Sequence, residues 1–354
     1  MKLQILIPHY KETFNEIKPL LDSIAIQQSV DFNEIGVIIC HDGVEPHFLN
    51  DGSGRQPVTQ PKDTIQPFYF NKMGLLSDYE QTDIYPFKIE QIWLGKHGGV
   101  SATRNACLDH ATADYVMFCD ADDMFINVCG LYIIFNEFDK GFDSLLSVFV
   151  EESRHPQTKD VVYINHDMDS TFVHGKVHRR QYLIDNNIRF NDKLTIHEDS
   201  YFNILAQNLT KEVKYCQVPF YLWKWRDNSV CRHDPKYILK TYNNMLDSND
   251  ALIDNFLSRG RQDKAMFYAV MMTFDAYYTM NKPEWINQEN QEYRNKTERR
   301  FKRYFLKHED LWDMMPVQDK MQISNQIRGR SINEGMQMEA VTIDGWLKHV
   351  KKLK

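Results

Sequence analysis

Three carboxylates in four positions, Asp120, Asp122 and Asp123, follow directly on the apolar run Tyr115–Cys119 in the stretch YVMFCDADDMF. Carboxylates packed this tightly repel one another and are costly unless a cation or another positive partner sits among them. A solvated, Asp-rich turn is the other reading of the stretch taken alone. A second acidic pair, Glu198-Asp199, stands just ahead of a helical pattern over Ser200–Asn208. Acids in the first turn of a helix are favoured by its dipole, so that pair has a structural reading beside a chemical one. A third cluster runs from Gly98-Gly99 to Arg104-Asn105 and opens a helix. Two glycines there permit close backbone approach, and a helix N-terminus favours an anion. The spacing is neither G-x-G-x-x-G nor a P-loop, which weakens the dinucleotide and NTPase readings.

The elements that would carry these clusters can be read from the apolar pattern. Leu3–Ile7 is a short apolar run ended by Pro8, and Pro8–Glu12 is a polar loop at its carboxyl end. Asn15 to about Gln28 is helical, with Ile17, Leu20, Leu21 and Ile24 on one face. Ile35–Cys40 is a second buried strand leading to His41-Asp42-Gly43, Lys88–Leu94 a third, and Tyr115–Cys119 the fourth. Strand–helix–strand order with polar residues at each strand end is the start of a parallel, Rossmann-like sheet. In such sheets ligands bind beyond the carboxyl ends of the strands. Residues 50 to about 85 carry Gly52, Gly54, Pro57, Pro61 and Pro67 with little periodicity, an insertion or excursion loop. Further on, Ser144–Val150, Val161–Ile164, Thr171–Val173, Val213–Val218 and Tyr221–Trp225 are strand-like, and His178–Asn187 is helical. From about Pro235 the pattern is helical, with Gly260 and Pro283 as punctuation. The expected division is 1–234 and 235–354.

Bulk properties narrow the class. The 354 residues are 42% hydrophobic and 26% charged with a net charge of -7, which argues against wholesale coating of nucleic acid. From Arg259 onward Lys and Arg exceed Asp and Glu by 18 to 13, so the acidity belongs to the earlier part. No apolar stretch approaches the roughly eighteen residues of a membrane span, and the first residues lack a signal-peptide core. The six cysteines show no C-x-x-C pair and read as reduced thiols, so a cytoplasmic location is expected.

Five polar clusters thus stand at strand ends or helix starts, and their order resembles family 2 glycosyltransferases of the GT-A fold over roughly the first 230 residues. IPHYKE is similar to that family's P-x-Y-N-x-E, HDG to its D-D-G-S, HGGVSATRN to its N-x-G-x-x-x-A-R-N, and FCDADD to its F-x-D-x-D-D. The stretch VHGKVHRRQYLIDNNIRFNDKLTIHEDSYF resembles the approach to the family's E-D acids. The resemblance implies a mostly parallel α/β sheet with flanking helices and a helical C-terminal region for acceptor binding or oligomerisation. It implies transfer of a sugar from a nucleoside diphosphate, with UDP the expected nucleotide and Mn²⁺ or Mg²⁺ as cofactor. Pro8, Tyr10, Glu12, Asp42, Gly99, Arg104 and Asp120 would bind the nucleotide-sugar. Asp122, Asp123 and His233 would serve the metal, with an ordinary loop histidine the other reading of His233. Asp199, then Glu198, would be the general base, and inversion the outcome. His9, Lys11 and Val44 depart from the family's commoner residues, which bears on contacts to the base.

Several uses stay open on the same residues. His197 reads as a base-tuning group or a helix cap, and Trp223 and Trp225 as sugar platforms or core. The acceptor expected is a cell-surface glycan or polyol polymer. The basic stretch Arg294–Lys307, with Tyr304 and Phe305 interleaved, motivates an alternative acceptor, hydroxymethylated bases in phage DNA. It also permits peripheral contact with anionic lipid at the inner face of a membrane, or the plain solvated face of a helix. A non-catalytic relative that binds a partner through its helical tail is the third hypothesis, opposed by the intact acidic pairs.

Overall fold

The computed structural model describes residues 1–10, 12–43, 85–167, 169–227, 229, 237–333 and 342–353. Lys11, Val44, Cys231, His233 and all but Tyr85 of the 50–85 excursion lie outside the described residues. The chain forms two compact units, Met1–Asp227 and Asn228–Lys354.

In the first unit, β1 (Leu3–His9), β2 (Ile35–His41), β3 (Lys88–Trp93) and β4 (Tyr115–Phe118) pair in parallel in the order β3-β2-β1-β4. The apolar runs form strands because both faces are covered. Helix α1 (Phe14–Ala25) buries Ile17, Leu20, Leu21 and Ile24 in one cluster with Leu3, Ile5 and Ile7, while Leu6 and Ile38 are buried on the opposite face. Helix α2 (Gly99–His110) follows β3. Thr13 starts α1, its N–H donating to the Glu16 carboxylate at 2.6 Å.

The sheet continues as a mixed one. Strand β5 (Met124–Phe125), helix α3 (Gly130–Phe138), strands β6 (Ser144–Arg154), β7 (Val161–His166) and β8 (Lys176–Arg179), helices α4 (Arg180–Asp185) and α5 (Glu198–Asn208), and β9 (Val213–Trp223) complete the unit. β8 lies antiparallel between β4 and β6, β6 runs parallel to β9, β5 pairs with β9 and β7 with β6.

Three expectations fail locally. Thr171–Val173 is a turn, because the Asp169 carboxylate takes the N–H groups of Thr171 and Phe172 at 2.7 and 2.8 Å. His178 belongs to a strand, since it pairs with Val116 on one side and Ser144 on the other. The two strands expected over 213–225 are one, with Pro219 accommodated where the register against β6 shifts between Ser147 and Phe149.

The second unit is helical: α6 (Tyr237–Ser258), α7 (Gln262–Met280), α8 (Pro283–Ile286), α9 (Gln291–Lys307), α10 (Glu309–Met314), α11 (Val317–Asn333) and α12 (Ile343–Lys352). Its core is aromatic-rich, with Phe256, Trp285, Phe301 and Trp346 buried. Among the described residues, no helix is long and apolar enough to cross a membrane. Cys40, Cys107, Cys119, Cys129 and Cys216 are free.

Candidate active site

The chain leaves β1 to one side for β2 and β3, then returns to the other side for β4, so the strand order reverses between β1 and β4. Where the order reverses, the loops beyond the strand ends part and leave a crevice. A cleft of about 300 Å³ lies there, lined by Pro8, Tyr10, Glu12, Asp42, His97, Gly99, Arg104, Asp120 and Asp122 among others. All seven residues expected at a nucleotide-sugar are on its wall.

The anion expected at the N-terminus of α2 is the chain's own Asp42. Its carboxylate takes the N–H groups of Gly98 at 2.6 Å and Gly99 at 2.9 Å, and His97 Nδ1 lies 2.8 Å away. Gly99 has φ +82°, a conformation that a side chain would strain. His97 stacks on Tyr10 with ring centroids 4.6 Å apart, forming one rim of the cleft. His97 is the first residue of the HGGVSATRN stretch, and the residue pattern gave it no role of its own. Behind this rim the buried His9 and His41 meet through their Nδ1 atoms at 2.9 Å, and His41 Nε2 lies 2.9 Å from Gln91 Oε1. Burial and the neighbouring His9 push His41 down to about 3, so the residue replacing a family aspartate is a neutral ring stacked on Trp93.

The three aspartates after β4 separate by environment. Asp120 is held below the usual carboxylate range: burial works against ionisation, but Arg104 and His174 outweigh it. Arg104 Nη2 donates to it at 2.9 Å. Asp122 lines the cleft and accepts from Arg226 Nη1 at 2.6 Å, with Glu12 a further 3.5 Å partner of that guanidinium. Burial and the charge of Asp120 nevertheless raise its pKa. Asp123 is fully buried behind the wall, accepting from Tyr221 Oη at 2.6 Å and the Lys224 N–H at 3.0 Å. Burial, then Asp122 and Asp120, push it well above its ordinary value.

Arg104 projects from α2 and is itself buried. Nη1 donates to Glu198 Oε1 at 3.1 Å and to Asp199 Oδ1, so one side chain joins the end of β4 to the start of α5. Burial disfavours its charge, but Asp199, Asp120 and Glu198 hold it protonated. α5 is brought alongside β4 by aromatic packing: Phe118 meets Phe190 and Phe202 edge-on, and those two rings stack at 4.1 Å. Asn105 fixes the preceding loop through both its amide atoms and the backbone of Phe190. Burial and the Asp199 charge raise Glu198 to about 8. His197 stands at the N-cap position of α5 with φ +66°, and its side chain makes no cap hydrogen bond to the helix.

Trp223 packs against both Phe172 and His174, at 5.2 Å from each ring. Trp225 Nε1 donates to Asp227 and its ring lies under Arg154. Both tryptophans have protein neighbours of this unit, in keeping with the packing reading.

The acids suit an oxygen-seeking divalent cation, because three carboxylates crowd together here and burial, then their mutual repulsion, raises Asp122 and Asp123. Two positions offer donors. Asp120 and Asp122 face the cleft. Asp120, Asp123 and His174 have ligand atoms within 4.8 Å of one another on the inner side, where His174 Nδ1 is buried without a hydrogen-bond partner.

Known proteins are similar to this chain over a segment in sequence and more widely in fold. The family model for glycosyl transferase family 2 matches residues 74–201. The likeness to that family covers this segment, just over a third of the chain. The segment contains Gly99, Arg104, the three aspartates and Glu198-Asp199, whereas Pro8–Glu12 and Asp42 precede it. No curated protein matches the sequence. The crystal structure of S. aureus TarS is similar with a TM-score of 0.56 and 15% identity, over 99% of this chain and 55% of that one. The chain therefore spans about half the length of that protein. The UDP complex of S. aureus TarS 1-349 is similar with a TM-score of 0.55 and 15% identity, over 98% of this chain and 95% of that one. At such identities the likeness is one of fold, and it is GT-A-like.

Proposed function

We propose that this glycosyltransferase moves a sugar from a UDP-sugar to an acceptor hydroxyl, with metal assistance and inversion at the anomeric carbon. The observation that carries the reading is a single cleft at the β1/β4 switch point, with donor-type acids on its wall and the Glu198–Asp199 pair joined to them through Arg104. UDP is favoured because a similar solved structure, TarS 1-349, is a complex with UDP.

In this reading Pro8, Tyr10, Glu12, Asp42 and Gly99 flank the nucleoside, with His97 completing the rim, and Asp120 serves the ribose side. Mn²⁺ or Mg²⁺, when bound, would neutralise diphosphate charge. Asp122 with Asp120 would hold it, because only these two carboxylates of the run line the cleft. Asp123 then supports the turn through Tyr221 and Lys224. Glu198 keeps a proton up to about 8 and cannot accept another at neutral pH, which leaves Asp199 as the base. Asp199 takes the acceptor hydroxyl's proton as that oxygen bonds to the anomeric carbon, on the face opposite the diphosphate. The bond from that carbon to the diphosphate oxygen breaks, and UDP leaves with its electron pair.

The acceptor is best read as a cell-surface glycan or polyol polymer rather than DNA. On α9, Arg294 pairs with Glu298, Arg300 with Asp247, and Lys307 with Asp250 and Asp254. Lys302 donates to the Leu353 carbonyl, while Tyr304 and Phe305 are buried. These side chains are committed inside the helical unit, which favours the plain helix-face reading of the stretch. A cytoplasmic enzyme in peripheral contact with the membrane remains compatible with this acceptor class.

The test is UDP binding and UDP release across a panel of UDP-sugars with Mn²⁺. Asp122→Ala is expected to lower sugar-dependent UDP release at least about 100-fold. Equal binding and equal release by variant and parent would remove the donor assignment.

A further inference from the structure

Arg104 invites a question that the donor and base assignments leave unanswered: why one buried guanidinium should serve both. It stands on α2, with Nη2 on Asp120 at the end of β4 and Nη1 on Glu198 and Asp199 at the start of α5. Its side chain is 3% exposed, and the face of Phe190 lies 5.2 Å away. The guanidinium is a rigid planar fork, so it cannot turn fully toward one carboxylate set without loosening the other. Its charge is likewise shared, and inside a protein such sharing is worth far more than at a surface.

We infer that Arg104 is a positioning residue that couples the donor half of the cleft to the base, so that the carboxylate at 199 sets how strongly the guanidinium acts on the donor side. This rests on the donor and base assignments above and goes beyond them, since neither requires the two half-sites to be linked. Removing the charge of Asp199 leaves the guanidinium less compensated beside Asp120, where the UDP diphosphate adds negative charge. UDP should then bind more tightly. Without a bridging guanidinium, the same change at 199 acts only across a distance and does little.

The experiment is calorimetric titration of UDP with Mg²⁺ into the parent, Asp199→Asn, Arg104→Gln, Arg104→Lys and the two corresponding double variants. Asp199→Asn should tighten UDP binding at least fivefold in the parent and less than twofold in either Arg104 background. Lysine keeps the charge and supports folding, but its single ammonium does not span both sets, so this arm decides the matter even where the glutamine variant fails to fold. An equal effect of Asp199→Asn in all backgrounds overturns the coupling while leaving the donor assignment standing. A parent protein that does not bind UDP overturns the donor assignment and the coupling with it. A merely structural clamp would lower the melting temperature of the Arg104 variants without altering the response to Asp199→Asn.

Discussion

Glu198 and Asp199 are neighbours in the chain, and they share the Arg104 guanidinium. Because burial raises Glu198 to about 8, its proton is bound more tightly folded than unfolded. Its contribution to stability is complete below the unfolded pKa near 4.5 and is lost as pH climbs toward 8. Glu198→Gln should therefore flatten the fall in stability between pH 5 and 8, by an amount on the order of 1 kcal/mol per pH unit at most. Chemical denaturation at several pH values measures this, and parallel curves for variant and parent would show Glu198 ionised in the fold. For Asp199→Asn the expectation is a loss of transfer of about 10²- to 10⁴-fold with UDP still bound. Retained turnover would move the base to Glu198.

The elements show why those side chains meet. α2 begins where Asp42, 56 residues earlier, caps its first N–H groups, and this fixes the axis along which Arg104 projects. Gly99→Ala should cost about 1–3 kcal/mol in chemical denaturation, because alanine is strained at φ +82° although nothing blocks its methyl group. A variant as stable as the parent would mean the turn re-forms without positive φ. The first four strands and the helices between them were legible as apolar runs and a 3.6-residue period. The later sheet was less so. α3 buries Leu131, Ile134 and Phe138 at the right intervals, yet Tyr132, Ile133 and Phe135 among its other positions are apolar too and blur the face. β9 was split by Pro219, whose tolerance depends on a register shift in a partner strand. At the site, the acids were recognisable from their clustering, but Arg104's partners lie 16, 94 and 95 positions away and only the fold brings them together.

For the molecule as a whole, the charge pattern discriminates between acceptors. The first part of the chain carries the negative charge, and Arg300, Lys302 and Lys307 of α9 are spent on acids of α6 and on the Leu353 carbonyl. A polyanion binding along α9 would have to break Arg300–Asp247 and Lys307–Asp250 and expose Tyr304, whose hydroxyl donates to Asp247. Phosphate neutralisation drives sequence-independent DNA binding, so the commitment of these cations to protein partners has a measurable consequence. Duplex DNA should bind more weakly than about 10⁻⁴ M at physiological salt. Supplied together with a polyol-phosphate polymer, hydroxymethylated DNA should remain unlabelled by a radiolabelled UDP-sugar while the polymer takes up label. Label confined to the DNA would reverse the acceptor assignment without touching the donor site, because the cleft proposed to take UDP lies wholly within Met1–Asp227 and the basic helix within Asn228–Lys354.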